Sequence, residues 1–358
     1  MGARNVLLVR LDNLGDVLLC TPAFHAVRET LPDARLTLLA SPIGAQVAEL
    51  NPDLDGAIVY QAPWMDAWGT LKQDGERELA MVDLLREQRF DAAIIFTSFR
   101  QSALPAAYLC YLAGIPLRLA ASIDGPGSLL TTRVKQQEDP RRHEVMRALE
   151  LVGVEGFHTD QTDLVLQAPE TERALAAAWL DELGVPSGGP LVVVHPGCSM
   201  PARTYPWELF AEVADLLVER LGATVVFTGD ASEVELVDKV RGRMKRNAYS
   251  AAGESTFRSF AALVSLADLV ITNNTGPAHV AAALKTPVVD LFALTNPPEQ
   301  WRPWNVPHRL LNKQVPCALC YSRVCPYDQE CLRGVSPSEV VEAARDLLRE
   351  IAEGGTDA

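Results

Sequence analysis

A chain of 358 residues exceeds what one hydrophobic core usually organises, so two domains are the expectation. With 48% apolar and 22% charged residues it belongs to neither the disordered nor the fibrous class. The 32 Lys and Arg face 46 Asp and Glu, and the formal charge of −14 argues against a sequence-independent grip on nucleic acid or on an anionic membrane.

The opening MGARNVLLVRL reads as a short strand rather than a signal peptide, and Val6 stands where a myristoylation signal wants Ser or Thr. No apolar run reaches the ~18–20 residues that cross a bilayer. The expected location is the cytoplasm, with at most peripheral contact at the inner face of the membrane. After the strand Asn5–Arg10 comes a helical stretch ending near Pro32, then strands at Arg35–Ala40, Gly56–Tyr60 and Asp91–Phe96. Between the last two, Leu79, Val82, Leu84 and Leu85 give Glu76–Gln88 helical spacing. A helix over Glu170–Leu183 precedes GVPSGGP (Gly184–Pro190), the strongest linker signal.

Alternation then restarts. Strands are expected at Leu191–His195, Ala223–Thr228, Leu269–Thr272 and Val288–Phe292. Helices are expected at Trp207–Leu221, Glu233–Met244, Phe257–Leu266 and Ala278–Leu284. Ser336, Pro337 and Glu339 form a capping-box start for a last helix whose apolar face is Val340, Val341, Ala344, Leu347, Leu348 and Ile351. The expectation is an α/β chain of two Rossmann-like βαβ domains, 1–185 and 186–336. Neither half carries a G-x-G-x-x-G run, so nothing points to a nicotinamide or flavin cofactor.

Ligands of open α/β sheets bind outside the carboxyl ends of strands. LDNLGDVLLCTPA (Leu11–Ala23) occupies such an end, with Gly15 allowing close backbone approach. Asp16 there either caps the helix or serves as a general base at a cleft, with Asp12 a less well placed competitor. HPGCSMPARTYPWELF (His195–Phe210) offers the backbone N–H groups of Gly197, Cys198 and Ser199 as an anion nest, and Arg203 as a phosphate contact or a surface charge. ITNNTGPAHVAAAL (Ile271–Leu284) aims a helix start with Thr275 and Gly276 the same way; His279, one turn in, more often simply packs. In TGDASEVE (Thr228–Glu235), Glu233 either accepts from ribose hydroxyls or favours the helix N-terminus. The anion loops fall in the second half and the best carboxylate in the first, which suggests a nucleotide held by one domain and an acceptor by the other. Trp64 and Trp68, after the third strand, either line the acceptor side or pack.

Between residues 95 and 135 four basic residues, Arg100, Arg118, Arg133 and Lys135, stand against Asp124 alone. For Arg133 and Lys135 the reading is solvated surface. Cys317, Cys320, Cys325 and Cys331, as C-x2-C-x4-C-x5-C, suit either a structural Zn²⁺, two local disulfides or four reduced thiols, with no role in catalysis.

LDNLGDVLLCTPAFHAVRETLPDA, HPGCSMPARTYPWELFAEVADLL and ITNNTGPAHVAAALKTPVVDLF resemble glycosyltransferase family 9, the ADP-heptose:lipopolysaccharide heptosyltransferases. The resemblance extends to SFRQSALPAAYLCYLAGIPLRLA and the final helix. It implies a GT-B fold and an inverting sugar transfer that requires no metal or other cofactor. The ADP-heptose-like donor would sit in the C-terminal domain, and the final helix, 337–352, would cross back onto the N-terminal domain. By position, Asp16 matches the general base, Arg203 the basic residue at the donor phosphates and Glu233 the acid at the ribose. Thr275, Gly276 and His279 match the donor loop, and Gly197, Cys198 and Ser199 fall in its partner loop. Asn274 departs from the family's usual Asp, which bears on the donor contact. Gly15, Arg100 and Arg118 would then meet an anionic glycan or glycolipid acceptor, such as a phosphorylated lipid-A inner core. The alternatives are a GT-B enzyme of another nucleotide sugar, by transfer or epimerisation, and a non-catalytic nucleotide-sugar binder.

Overall fold

The computed structural model describes residues 2–135, 139, 141–185 and 188–354. It divides into two compact units, Met1–Leu166 and Gln167–Ala358. The first contains β1 (Asn5–Arg10), α1 (Leu14–Leu18), α2 (Thr21–Thr30), β2 (Arg35–Ala40), β3 (Gly56–Val59) and α3 (Gly75–Glu87). It continues with β4 (Ala92–Ile95), α4 (Leu104–Leu112), β5 (Leu117–Ala121), β6 (Thr132–Val134) and α5 (Glu144–Gly153). Its sheet has the order β3-β2-β1-β4-β5-β6 and every pairing is parallel. Val6–Val9 of β1 are buried to 1% or less, as a strand covered on both faces must be.

The second unit opens with α6 (Glu170–Glu182), followed by β7 (Leu191–His195), α7 (Trp207–Leu221), β8 (Thr224–Phe227), α8 (Val234–Arg243) and β9 (Tyr249–Ser250). Then come α9 (Phe257–Leu266), β10 (Leu269–Asn273), α10 (Gly276–Ala283), β11 (Val288–Leu291) and α11 (Pro298–Trp301). It closes with β12 (His308–Leu311), α12 (Glu330–Arg333) and α13 (Pro337–Gly354). The order β12-β11-β10-β7-β8-β9, again all parallel, repeats the pattern of the first sheet.

In each sheet the strand order reverses once, between β1 and β4 and between β7 and β10. Loops leaving the carboxyl ends of those strands diverge to opposite faces and leave a crevice, the usual ligand position in such sheets. Three of the four loops singled out by sequence leave β1, β7 and β10, and the fourth, Thr228–Glu235, leaves β8.

Two boundaries differ from expectation. Helix α6 packs along α9 and so belongs to the second unit, which moves the division from residue 185 to 166. The Gly/Pro run then leads from α6 into β7 within one unit; its Pro186 and Ser187 lie outside the described residues. Helix α13 packs chiefly on α7, and also on β11 and β12, so it is counted with the second unit rather than the first. Its capping box is formed: Ser336 N–H donates to Glu339 Oε2 at 2.9 Å and Glu339 N–H to Ser336 Oγ at 3.3 Å. Val340, Val341, Ala344 and Leu347 are buried against the second core, each large one contributing roughly 1.5–3 kcal/mol, whereas Ile351 is exposed.

Candidate active site

In the first unit the site begins with Arg10, the last residue of β1. Its side chain is 1% exposed, yet three polar partners converge on it. Nε lies 2.9 Å from Asp12 Oδ2, and Nη2 donates to Asp16 Oδ1 at 3.1 Å and to Ser98 Oγ at 2.5 Å. Burial opposes the guanidinium's charge, but Asp12 above all, with Asp16 and Glu144, holds its pKa above the ordinary value. Ser98 comes from the loop after β4 and donates onward to Asp16 Oδ1 at 3.3 Å. Gln101, on the same loop, donates to Asp12 Oδ1 at 2.6 Å. The reversal between β1 and β4 is what brings the two loops together.

Asp16 sits in the first turn of α1, and its Oδ2 accepts the Asn13 N–H at 3.1 Å. The capping contact of this carboxylate is thus formed. One oxygen closes the helix start and the other is oriented by Arg10 and Ser98, while 15% of the side chain stays exposed. Asp12 is 8% exposed and pinned by Arg10 and Gln101; burial pushes its carboxyl up. It is the less available of the two acids. Gly15 is buried within α1.

The expected acceptor basic residues separate. Arg100 is exposed, at φ 69°, on the loop that carries Ser98 and Gln101. Arg118 is 8% exposed and donates to the carbonyls of Leu129, Ser128 and Ile115, with its guanidinium over the Tyr111 ring at 5.4 Å. Its donors brace the connection between β5 and β6, which corrects the expectation of an acceptor contact. Arg133 donates to Ser122 and Ile123 carbonyls. Trp64 packs edge-on against Tyr60 at 5.7 Å, and Trp68 is exposed.

In the second unit Asn273, at the end of β10, is the keystone that sequence reasoning missed. Its Nδ2 donates to Pro196 O at 2.9 Å and Gly197 O at 3.2 Å, and its Oδ1 accepts Tyr205 N–H at 2.8 Å. It thereby ties the loop after β7 to the start of α7 and to the neighbouring strand. An Asn at a strand end carries no distinctive sequence signal beyond the Asn-Asn pair. Gly197 lies against Glu233: a β-carbon there would fall 1.8 Å from Glu233 Oε1. Glu233 Oε2 accepts Asp230 N–H at 2.9 Å and stands 3.5 Å from His195 Nε2. Burial raises the Glu233 pKa and lowers that of His195 to about 4, so His195 meets the carboxyl as a neutral imidazole. Its Nδ1 lies 3.1 Å from Thr228 Oγ1.

Arg203 closes a short 3-10 turn, Pro201–Arg203, and its Nε donates to Thr295 Oγ1 at 3.1 Å. The cysteine-rich segment buttresses that turn. Ala202 N–H donates to Arg323 O at 3.0 Å and Gln329 Nε2 to Pro201 O at 3.0 Å. Leu319 and Tyr321 N–H groups donate to Leu294 and Thr295 carbonyls at 2.7 Å. All four cysteines of this segment are free thiols, and among the described residues no three Cys, His, Asp or Glu side chains converge as a metal-holding group. What the segment contributes in this structure is backbone contacts around Arg203.

Thr275 is the N-cap of α10, with Gly276 and Pro277 opening the helix. Asn274 is buried and its Oδ1 accepts Ala293 N–H at 3.3 Å, so it serves the backbone of the next strand end. His279 is buried within α10, in keeping with packing. Cys198 is half-buried and its thiol is pushed up by burial; Ser199 is exposed.

The second unit thus brings loop backbone, the start of α10, the Arg203 guanidinium and the Glu233 carboxyl to the carboxyl ends of its strands. The first presents the Asp16 carboxylate, oriented by Arg10 and Ser98. Known proteins resemble the chain over most of its length. A 296-residue match at 27% identity joins the chain to lipopolysaccharide heptosyltransferase 3 of Escherichia coli K12, covering 81% of this chain and 82% of that one. A glycosyltransferase family 9 structure from Veillonella parvula superposes with TM-score 0.79 at 24% identity, covering 97% of both chains. The ADP-heptose lipopolysaccharide heptosyltransferase II structure of E. coli gives 0.75 at 22%, covering 97% of this chain and 99% of that one. The two parallel sheets are those of a GT-B glycosyltransferase. The description glycosyltransferase family 9 (heptosyltransferase) matches residues 79–330, more than half of the sequence, and the chain belongs to that family of enzymes.

Proposed function

We propose that the protein transfers a heptose from an ADP-heptose-like donor to the core of a lipopolysaccharide, with inversion at the anomeric carbon and without a catalytic metal. The observation that carries the reading is Asp16, a carboxylate held by Arg10 and Ser98 at the strand-order reversal of the first sheet. Asp16 takes the proton of the acceptor hydroxyl as its oxygen bonds to C1 of the sugar. The C1–O bond to the diphosphate breaks, and its electron pair leaves on ADP. Charge then accumulates on the diphosphate. Arg203, the N–H groups after β7 and the start of α10 are the fixed positive groups that would stabilise it. Glu233 accepts from the ribose hydroxyls, and His279 lies one turn below the donor loop.

The acceptor is an anionic glycan or glycolipid, toward which exposed Arg100, on the loop that carries Ser98, would offer a charge. The reaction would take place at the cytoplasmic face of the inner membrane; no helix among the described residues is long and apolar enough to cross a bilayer. Support for donor and acceptor comes from the matching heptosyltransferases. The test is incubation with ADP-heptose and a heptose-deficient lipopolysaccharide core in chelator. The expected result is ADP release and one added α-linked heptose from a β-linked donor. Retained configuration, or turnover only with GDP- or UDP-sugars, would overturn the reading.

A further inference from the structure

Glu144, the first residue of α5, is 4% exposed and absent from every motif of the sequence. Its Oε1 accepts the Phe99 N–H at 3.3 Å, on the loop that supplies Ser98, and lies 3.3 Å from Arg147 Nε. Arg10 and Glu144 both line one small cavity, with Cys20, Phe96, Thr97 and Arg147. We propose that Glu144 is a positioning residue for the candidate base, acting through Arg10: ionised, it offsets the positive charge that this buried cluster gains when Asp16 takes up a proton. The inference rests on the reading of Asp16 as the base.

The charged groups around Glu144 come from four elements. Arg10 arrives from β1, Asp12 and Asp16 from the following loop and α1, and Arg147 from its own helix. Buried His143 precedes it as the N-cap of α5, and the Phe99 N–H faces it from the loop after β4. Cys20 stays a neutral thiol, since burial pushes it up to about 12. Two guanidiniums therefore stand against Asp12, Asp16 and Glu144. Once Asp16 is protonated, Asp12 and ionised Glu144 balance the two guanidiniums; without the Glu144 charge this buried, weakly screened cluster is left positive. Burial pushes Glu144 up to about 7; Arg10 and Arg147 pull it back, and the charge of Asp16 adds to the rise. Its ionisation thus falls where it can alter the rate across physiological pH.

The experiment measures ADP release from ADP-heptose with the heptose-deficient core acceptor from pH 5.5 to 8.5. The wild-type rate should rise through a limb near pH 7. Glu144→Gln, equal in size and without charge, should lose that limb, running about tenfold slower at pH 8 and level with wild type at pH 5.5. Glu144→Asp should keep a limb. Wild-type behaviour in Glu144→Gln overturns the inference. So does equal slowing at every pH, with melting curves reporting whether the fold is intact, or a missing limb in Glu144→Asp. Asp16→Asn, run in parallel, should be inactive throughout; activity there would instead overturn the base assignment.

Discussion

Gly197 and Glu233 occupy one space: a β-carbon on the first would lie 1.8 Å from Oε1 and 2.2 Å from Cδ of the second. The absence of a side chain near the start of the loop after β7 is what lets the carboxyl rest beside His195 and the Asp230 N–H. Gly197→Ala must displace Glu233, and overpacking of this kind costs about 1–3 kcal/mol. The expected outcome is ADP binding weaker by about tenfold or more, read by calorimetry. In a Glu233→Ala background the same substitution should have little effect, since the two act on one contact.

That contact was only half legible in sequence. Gly197 and Glu233 each stand out, on separate loops, by strand-end position and residue type, but their juxtaposition depends on the pairing of β7 with β8. The alternation of strands and helices predicted the two sheets because period-2 and period-3.6 patterns are local. No motif marks the start of helix α5, although it carries Glu144 and Arg147 to the cluster at Arg10. Arg118 misled for the opposite reason. An Arg in a basic stretch resembles a ligand contact until its carbonyl partners, contributed by residues 115–129, are in view. The placement of α6 and α13 is tertiary: their apolar faces predict that they dock, not on which unit.

Arg203 is oriented by Thr295 and by a turn that the cysteine-rich segment buttresses. Arg203→Ala should weaken ADP binding by about 10- to 100-fold, the worth of one or two hydrogen bonds to charged phosphate oxygens, with melting temperature nearly unchanged. Unchanged affinity would remove this loop from the donor site.

Asp290 stands on β11 in register with Thr272 of β10, fully buried, and neither carboxyl oxygen has a hydrogen-bond partner among the described residues. Burial drives its pKa well above the ordinary carboxylate value, with Arg203 pulling it back. An acid raised in the folded state favours folding fully below its unfolded value and loses that contribution as pH rises. Asp290→Val, similar in volume and suited to a strand, should therefore raise the unfolding free energy by about 1–3 kcal/mol. The gain should be larger at pH 8 than at pH 4.5, followed by denaturant titration at both. Destabilisation at pH 8 would mean that the carboxyl has a partner in solution.

The central claim is that Asp16, held by Arg10 and Ser98, removes the acceptor proton. Steady-state transfer and ADP affinity measured together on Asp16→Ala test it most directly. The account predicts that transfer falls by about 10²–10⁴-fold while ADP binds as to wild type. Wild-type transfer by the variant would contradict it.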